Sequence, residues 1–178
     1  KVENFIMTNK YVFLQITTLV ALIICFTSTS RAQSVLSDDA TTINSPKDAD
    51  TNFGTNPNLN VSSISNAYVK FNPSTTLPAG TRGADLGKAT LRFYVGSVQS
   101  SGTIDLYQAG GAWSEKTVTA NTAPAVGASI IAGIQIDANN KGQYVNIDVT
   151  ALVRNWLDGA ANNGIVIVAG AGRNVTFD

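Results

Sequence analysis

In Ala89-Thr90-Leu91-Arg92-Phe93-Tyr94-Val95 every second residue is apolar, a period of two that a helix cannot use. As a strand the segment lays Ala89, Leu91, Phe93 and Val95 on one face, opposite Thr90, Arg92 and Tyr94. The stretch from Thr103 to Gln108 repeats the pattern, with Ile104, Leu106 and Gln108 set against Thr103, Asp105 and Tyr107. From Ala67 to Phe71, Ala67, Val69 and Phe71 oppose Tyr68 and Lys70. Each such strand has one apolar face that needs a second layer to cover it, so the chain is expected to be all-β and built in layers.

Turn chemistry divides the remaining strands. Val35 to Ile43 is a first candidate, and Ser45-Pro46 then opens a polar loop through Asn60 that contains Gly54 and Pro57. Loops of that length in a small domain are often functional. Pro73, Pro78, Gly80 and Gly83 break the next stretch, and Gln99-Ser100-Ser101-Gly102 reads as a hairpin connection. Ile130 to Ile136 is an apolar run, and Asn139-Asn140-Lys141-Gly142 is a turn leading into Gln143 to Val149. Gly164 to Ala169, with Ile-Val-Ile-Val at its centre, reads as an interior strand. One segment is helical by period: Val149, Leu152, Val153 and Trp156 fall at i, i+3, i+4 and i+7. Asp148 or Thr150 can cap its start, and Gly159 stands where a left-handed cap ends a helix. The expected fold is an antiparallel β-sandwich of jelly-roll type, with one short α-helix near residues 149–158.

Residues 1–32 have a different character. Met7 is the natural start, Lys10 supplies a basic leader, Val12 to Phe26 is mainly apolar, and Ser30-Arg31-Ala32 presents small residues around a cleavage point. This three-part order is that of a secretory signal; Gln15, Thr17 and Thr18 interrupt the run and argue against a spanning anchor. The expected organisation is a signal region at 1–32 and a secreted or cell-surface β-sandwich domain at 33–178. The single cysteine, Cys25, would leave with the signal. The domain beyond it carries nine basic and eleven acidic residues, a formal charge of −2, without a basic stripe. That balance argues against nucleic acid and against anionic membrane surfaces as partners.

The chain has no histidine, which removes Ser–His and Cys–His nucleophile pairs and imidazole bases. Glu115 is the sole glutamate of the domain, and no spacing pairs it with an aspartate as glycoside hydrolysis requires. The sequence therefore reads as non-catalytic. Asp48, Asp50 and Asn52 alternate as oxygen ligands do in calcium loops, although Gly54 falls one place late for an EF-hand and no bidentate Glu follows. The alternatives at this segment are a hydrogen-bonded turn and a structural Ca2+ site; no cofactor is required. Trp156 lies on the helix stripe and is expected in the core, while Trp113 is either a packing residue or a ligand contact. Tyr68, Tyr94 and Tyr107 all stand opposite apolar faces. If those faces belong to one sheet, they form with Arg92, Lys70 and Asp105 an aromatic and polar binding surface; otherwise they are ordinary strand tyrosines.

A series of short motifs carries a resemblance. Asp50-Thr51-Asn52-Phe53-Gly54 is followed by Leu59-Asn60-Val61, Tyr68-Val69-Lys70-Phe71, Leu77-Pro78-Ala79-Gly80 and the Ala89–Val95 strand. Then come Ala112-Trp113-Ser114-Glu115-Lys116-Thr117-Val118-Thr119, Pro124-Ala125-Val126-Gly127, Asp148 to Trp156, and Asn162-Asn163-Gly164-Ile165. In this order, over residues 35 to 173, the chain resembles the DNRLRE-domain family of extracellular β-sandwiches, which are similar to carbohydrate-binding modules. Two positions depart from the family pattern: Ala120 stands where a Trp is usual, and the closing strand, begun by Val175-Thr176-Phe177, is expected to be incomplete. The resemblance implies a non-catalytic extracellular module that binds polysaccharide or serves as one domain of a longer surface protein. The alternative it leaves open is a structural subunit of a surface fibre or adhesin, self-associating by strand donation.

Overall fold

The computed structural model of the chain describes residues 34, 36–170 and 174–177. The expected signal region lies outside the described residues. Among those residues no helix is long and apolar enough to cross a membrane.

Among the described residues nine strands and one α-helix follow in the order β1 (Leu36–Ile43), β2 (Leu59–Ser62), β3 (Ser65–Phe71), β4 (Thr90–Ser100), β5 (Gly102–Ala109), β6 (Val126–Ile136), β7 (Tyr144–Asp148), α1 (Thr150–Leu157), β8 (Ile165–Ala169) and β9 (Asn174–Phe177). All pairings are antiparallel. They trace one curled path, β6-β5-β8-β3-β2-β9-β4-β7, with β1 added beside β3. The path folds at the β2–β3 hairpin, where the contact is the single pair Ser62–Ser65. One layer is thus β6-β5-β8-β3-β1 and the other β2-β9-β4-β7. This is the strand order of a jelly roll, as the alternating pattern implied.

Period-two alternation explains what lies between the layers. Leu59, Val61, Leu91, Phe93, Val95, Ile147, Val175 and Phe177 come from one layer, and Ala67, Val69, Ile104, Leu106, Ile136, Ile165 and Ile167 from the other; together they form the main core. Phe93 and Phe177 meet there with ring centroids 5.1 Å apart. The segment Val175–Phe177 forms an interior strand, paired with β2 on one edge and β4 on the other. Helix α1 closes one end of the core through buried Leu152, with Val153 and Trp156 packed beside it. Its entry is set by Asp148, whose Oδ1 accepts from the Thr150 hydroxyl at 2.6 Å and from the Thr150 N–H at 2.9 Å. Those two bonds hold the Asp148 carboxyl below its ordinary range, the hydroxyl contributing most. Gly159, at φ +102°, ends the helix as expected.

One expectation fails on topology. The Gln99–Gly102 segment is not a hairpin: β4 pairs with β7 and β9, whereas β5 pairs with β6 and β8, so this connection crosses from one layer to the other. The apolar run Ile130–Ile136 does form part of β6, yet of that strand only Ile136 is buried, with Val126 and Ile131 exposed. β6 is an edge strand whose partner β5 covers one side alone.

The outer faces of the two layers differ. Residues 110–125, between β5 and β6, lie across the outer face of the β1–β3–β8 region and enclose a second small core of Ala40, Tyr68, Ala109, Trp113, Val118 and Val166. This explains the unbroken Ile-Val-Ile-Val of β8: Ile165 and Ile167 face the main core, and Val166 faces the roof. No comparable segment encloses a core on the outer face of β4 and β7 among the described residues.

Candidate functional site

Each outer face carries an aromatic pair with a cation over one ring. On the roofed face Tyr68 and Trp113 meet edge to face, centroids 5.6 Å apart at 66°, and Lys70 Nζ stands 5.0 Å from the centre of the Trp113 ring. On the open face Tyr94 and Tyr144 meet the same way, 5.3 Å apart at 65°, with the Arg92 guanidinium 4.2 Å from the centre of the Tyr144 ring. The register produces the second arrangement directly. Tyr94 is the cross-strand partner of Tyr144, and Arg92, opposite Asn146, is the diagonal neighbour on the same face.

The surroundings separate the two. Tyr68 is 2% exposed and its hydroxyl donates to the Pro124 carbonyl at 3.1 Å. Burial pushes its phenol above the ordinary value and keeps it a donor. Trp113 Nε1–H donates to the Asn163 carbonyl at 2.7 Å. Lys70 donates to the Trp113 carbonyl at 3.0 Å and pairs with Asp38 at 3.4 Å. All three side chains are committed to holding the roof. On the open face Tyr144 is 56% exposed, Arg92 is exposed and Tyr94 is half-buried. Arg92 has the ring contact but no ion pair or side-chain hydrogen bond among the described residues, which leaves its fork of donors directed to solvent.

The proposed joint surface of Tyr68, Tyr94, Tyr107 and Arg92 is therefore divided. Tyr68 and Tyr107 lie in one cross-strand row, Ala40–Tyr68–Val166–Tyr107, on the roofed layer. Tyr94 and Arg92 lie on the opposite side of the sandwich. Alternation assigns a residue to a face but not to a sheet, and the layer crossing at residues 99–102 puts β4 and β5 in different sheets. Asp105, expected in the same surface, accepts from the Gly133 N–H at 2.7 Å beside β6.

Asp48, Asp50 and Asn52 each have a protein partner. Asp48 accepts from the Ser45 hydroxyl at 2.8 Å, and Asp50 accepts from the Asn121 side-chain amide at 2.7 Å. Asn52 donates through one amide nitrogen to the Glu115 carbonyl at 2.8 Å and the Val118 carbonyl at 2.7 Å. The Asp-Thr-Asn-Phe-Gly motif is thereby locked to the Trp-Ser-Glu-Lys-Thr-Val motif of the roof. Gly54 completes the lock, since a Cβ there would overlap the Glu115 carbonyl. Glu115 itself accepts from the Asp39 N–H at 3.3 Å. Burial, with the Glu115 and Asp38 charges next, raises the Asp39 carboxyl above its usual range.

Tyr144 was not among the residues singled out by sequence, although its signal is present. In Tyr144-Val145-Asn146-Ile147-Asp148 the alternation turns Tyr144 outward with Asn146 and Asp148, and β7 pairs with β4 (Thr90–Ser100) to place it beside Tyr94.

The chain is thus a jelly-roll sandwich with one roofed face and one open face that carries exposed aromatic and cationic groups. The sequence model of carbohydrate-binding module family 96 matches residues 31–178, and the chain belongs to that family. Such modules bind carbohydrate without catalysing its conversion. The expectation of a carbohydrate-binding-module-like sandwich thus holds; the match does not bear on the DNRLRE name. No curated protein matches the chain.

Proposed function

We propose that the module holds polysaccharide against the outer face of β4 and β7, with Tyr144 as the stacking platform, Tyr94 as its support and Arg92 as a hydrogen-bond donor to the sugar. The observation that carries the reading is the state of Arg92 and Tyr144: one cation with unspent donors lies over an aromatic ring that is more than half exposed. An exposed ring offers a flat apolar surface to the C–H face of a pyranose, and the guanidinium beside it donates to hydroxyl or carboxylate oxygens. Non-catalytic action of this chain, delivery to the extracellular space or cell surface by the N-terminal segment, and attachment to a longer surface protein belong to the same reading.

The test is affinity electrophoresis of the native chain and of Tyr144→Ala in gels containing neutral or acidic polysaccharides. Retardation of the native protein by at least one polymer, lost in Tyr144→Ala with the fold intact by circular dichroism, is the expected result. Equal retardation of both proteins excludes the β4–β7 face as the site.

A further inference from the structure

Asn163-Gly164 is the one Asn-Gly step of the chain, and it leads into β8 beside the roof. The fold requires glycine there. Gly164 is buried at φ +88°, in the left-handed region, and a Cβ on it would overlap the Val69 carbonyl. Asparagine before glycine is chemically labile. The following backbone nitrogen, once it loses its proton, closes on the side-chain Cγ with least hindrance when no Cβ flanks it.

The structure pins the peptide group between these two residues at both of its polar atoms. The Asn163 carbonyl accepts from Trp113 Nε1–H at 2.7 Å, and the Gly164 N–H donates to Asn162 Oδ1 at 3.2 Å. Asn162 is fixed in turn, its Nδ2 donating to the Phe71 carbonyl at 2.7 Å, and the Gly164 carbonyl accepts from the Ala109 N–H at 3.0 Å. The Asn163 carboxamide, by contrast, is half-buried and has no hydrogen-bond partner among the described residues. Ring closure needs the Gly164 nitrogen deprotonated and turned toward Asn163 Cγ. The first breaks the bond to Asn162, and the second draws the Asn163 carbonyl away from Trp113.

We infer that Asn163-Gly164 is a site of spontaneous deamidation held in check by Asn162 and the roof, and that its conversion to isoaspartate releases the roof. In the first step a base takes the Gly164 N–H proton and the nitrogen bonds to Asn163 Cγ. The Cγ–Nδ2 bond breaks, and ammonia leaves with a proton returned to it. Water then opens the five-membered imide at one of its two carbonyls, giving aspartate or isoaspartate; nothing is oxidised or reduced. Isoaspartate routes the main chain through Cβ and Cγ, which moves the acceptor away from Trp113. The Trp113 N–H is then left buried without its partner, and that favours opening of residues 110–125.

The experiment incubates the full chain in mildly alkaline buffer, folded and in denaturing urea, beside Asn162→Ala and Trp113→Phe. Peptide mass mapping follows Asn163, and enzymatic methylation counts isoaspartate. The folded native chain should convert at least about tenfold more slowly than the unfolded one, because reaction waits on local opening. Asn162→Ala frees the Gly164 N–H, whereas Trp113→Phe keeps a ring in the roof and removes only the donor to Asn163. Each variant that stays folded by circular dichroism should convert several-fold faster than native. Isoaspartate-containing native protein should then show faster amide exchange over residues 110–125, with β4 unchanged. Conversion of the folded native chain at the unfolded rate overturns the inference, as does a native rate in the folded variants. Unchanged roof exchange in the isoaspartate form overturns the link to the roof.

Discussion

The same constellation, two aromatic rings edge to face with a cation over one of them, occurs on both sides of this sandwich in two different surroundings. Tyr68, Trp113 and Lys70 are covered by residues 110–125, and each polar end of the three is used within the protein. Tyr94, Tyr144 and Arg92 meet in nearly the same geometry, but solvent takes the place of the roof. Ring geometry alone does not mark a binding site. What separates the two is whether the hydrogen-bonding capacity of the group is already satisfied, because a committed donor has to break a bond before it can serve a ligand.

The comparison is open to attack from both sides. The largest expected effect is on the roofed face: Trp113→Ala removes a buried ring together with its bond to Asn163 and its contact with Lys70, and should destabilise the fold by about 3–5 kcal/mol. Urea unfolding followed by fluorescence of the remaining Trp156 would measure it; a change below about 1 kcal/mol would mean that the roof is not a packed part of the domain. Next, Asn52→Ala leaves the Glu115 and Val118 carbonyls without their shared donor and should cost about 1–3 kcal/mol. The roof should then open first, which is visible as faster amide exchange over residues 110–125 than in β4. On the open face the expectation reverses. Tyr144→Ala should reduce polysaccharide affinity about tenfold or more, while shifting stability by less than about 0.5 kcal/mol, since more than half the side chain is already in water.

A smaller effect comes from acid titration at the lock. The Asp39 carboxyl is raised in the fold, so folding favours its protonated form. Its contribution is best below the ordinary carboxylate value and is lost as pH rises through the elevated folded one. Asp39→Asn should therefore stabilise the protein slightly at pH 7, by a solvent-screened fraction of a kcal/mol, and the difference should fade below about pH 4. Comparing melting temperatures of both proteins across that range decides it; a difference that grows on acidification would reverse the sign. The smallest effect is expected from metal removal. Because Asn52 holds the roof with its amide nitrogen and Asp48 and Asp50 are bonded to Ser45 and Asn121, chelator should leave the melting temperature unchanged. A fall of several degrees, restored by calcium, would instead assign these residues to a cation.

Most of the fold was legible because alternation, turn residues and one helical stripe are local signals. Phe93, Ile104, Val69 and Leu152 all face the core as their periods require. The hairpin at Gln99–Gly102 was misread because the same turn residues serve a hairpin and a crossing between layers, and only the partners of β4 and β5 distinguish them. The proposed site was legible by half. Arg92 and Tyr94 face outward on the open layer as alternation required, whereas Tyr68 is buried by a loop from elsewhere in the chain, which no period within β3 (Ser65–Phe71) can report. Tyr144 was passed over because its importance comes from its cross-strand neighbour and not from its own segment.

The central claim, that ligand meets the open face and not the roofed one, is most directly tested by a residue-resolved titration. An isotope-labelled chain would be titrated with oligosaccharides of a polymer that retards it, and amide shifts mapped by NMR. Changes centred on Arg92, Tyr94, Tyr144 and Asn146 are expected. Changes centred on Tyr68, Tyr107 and residues 110–125, with β7 silent, would overturn the claim and make the roof the binding surface.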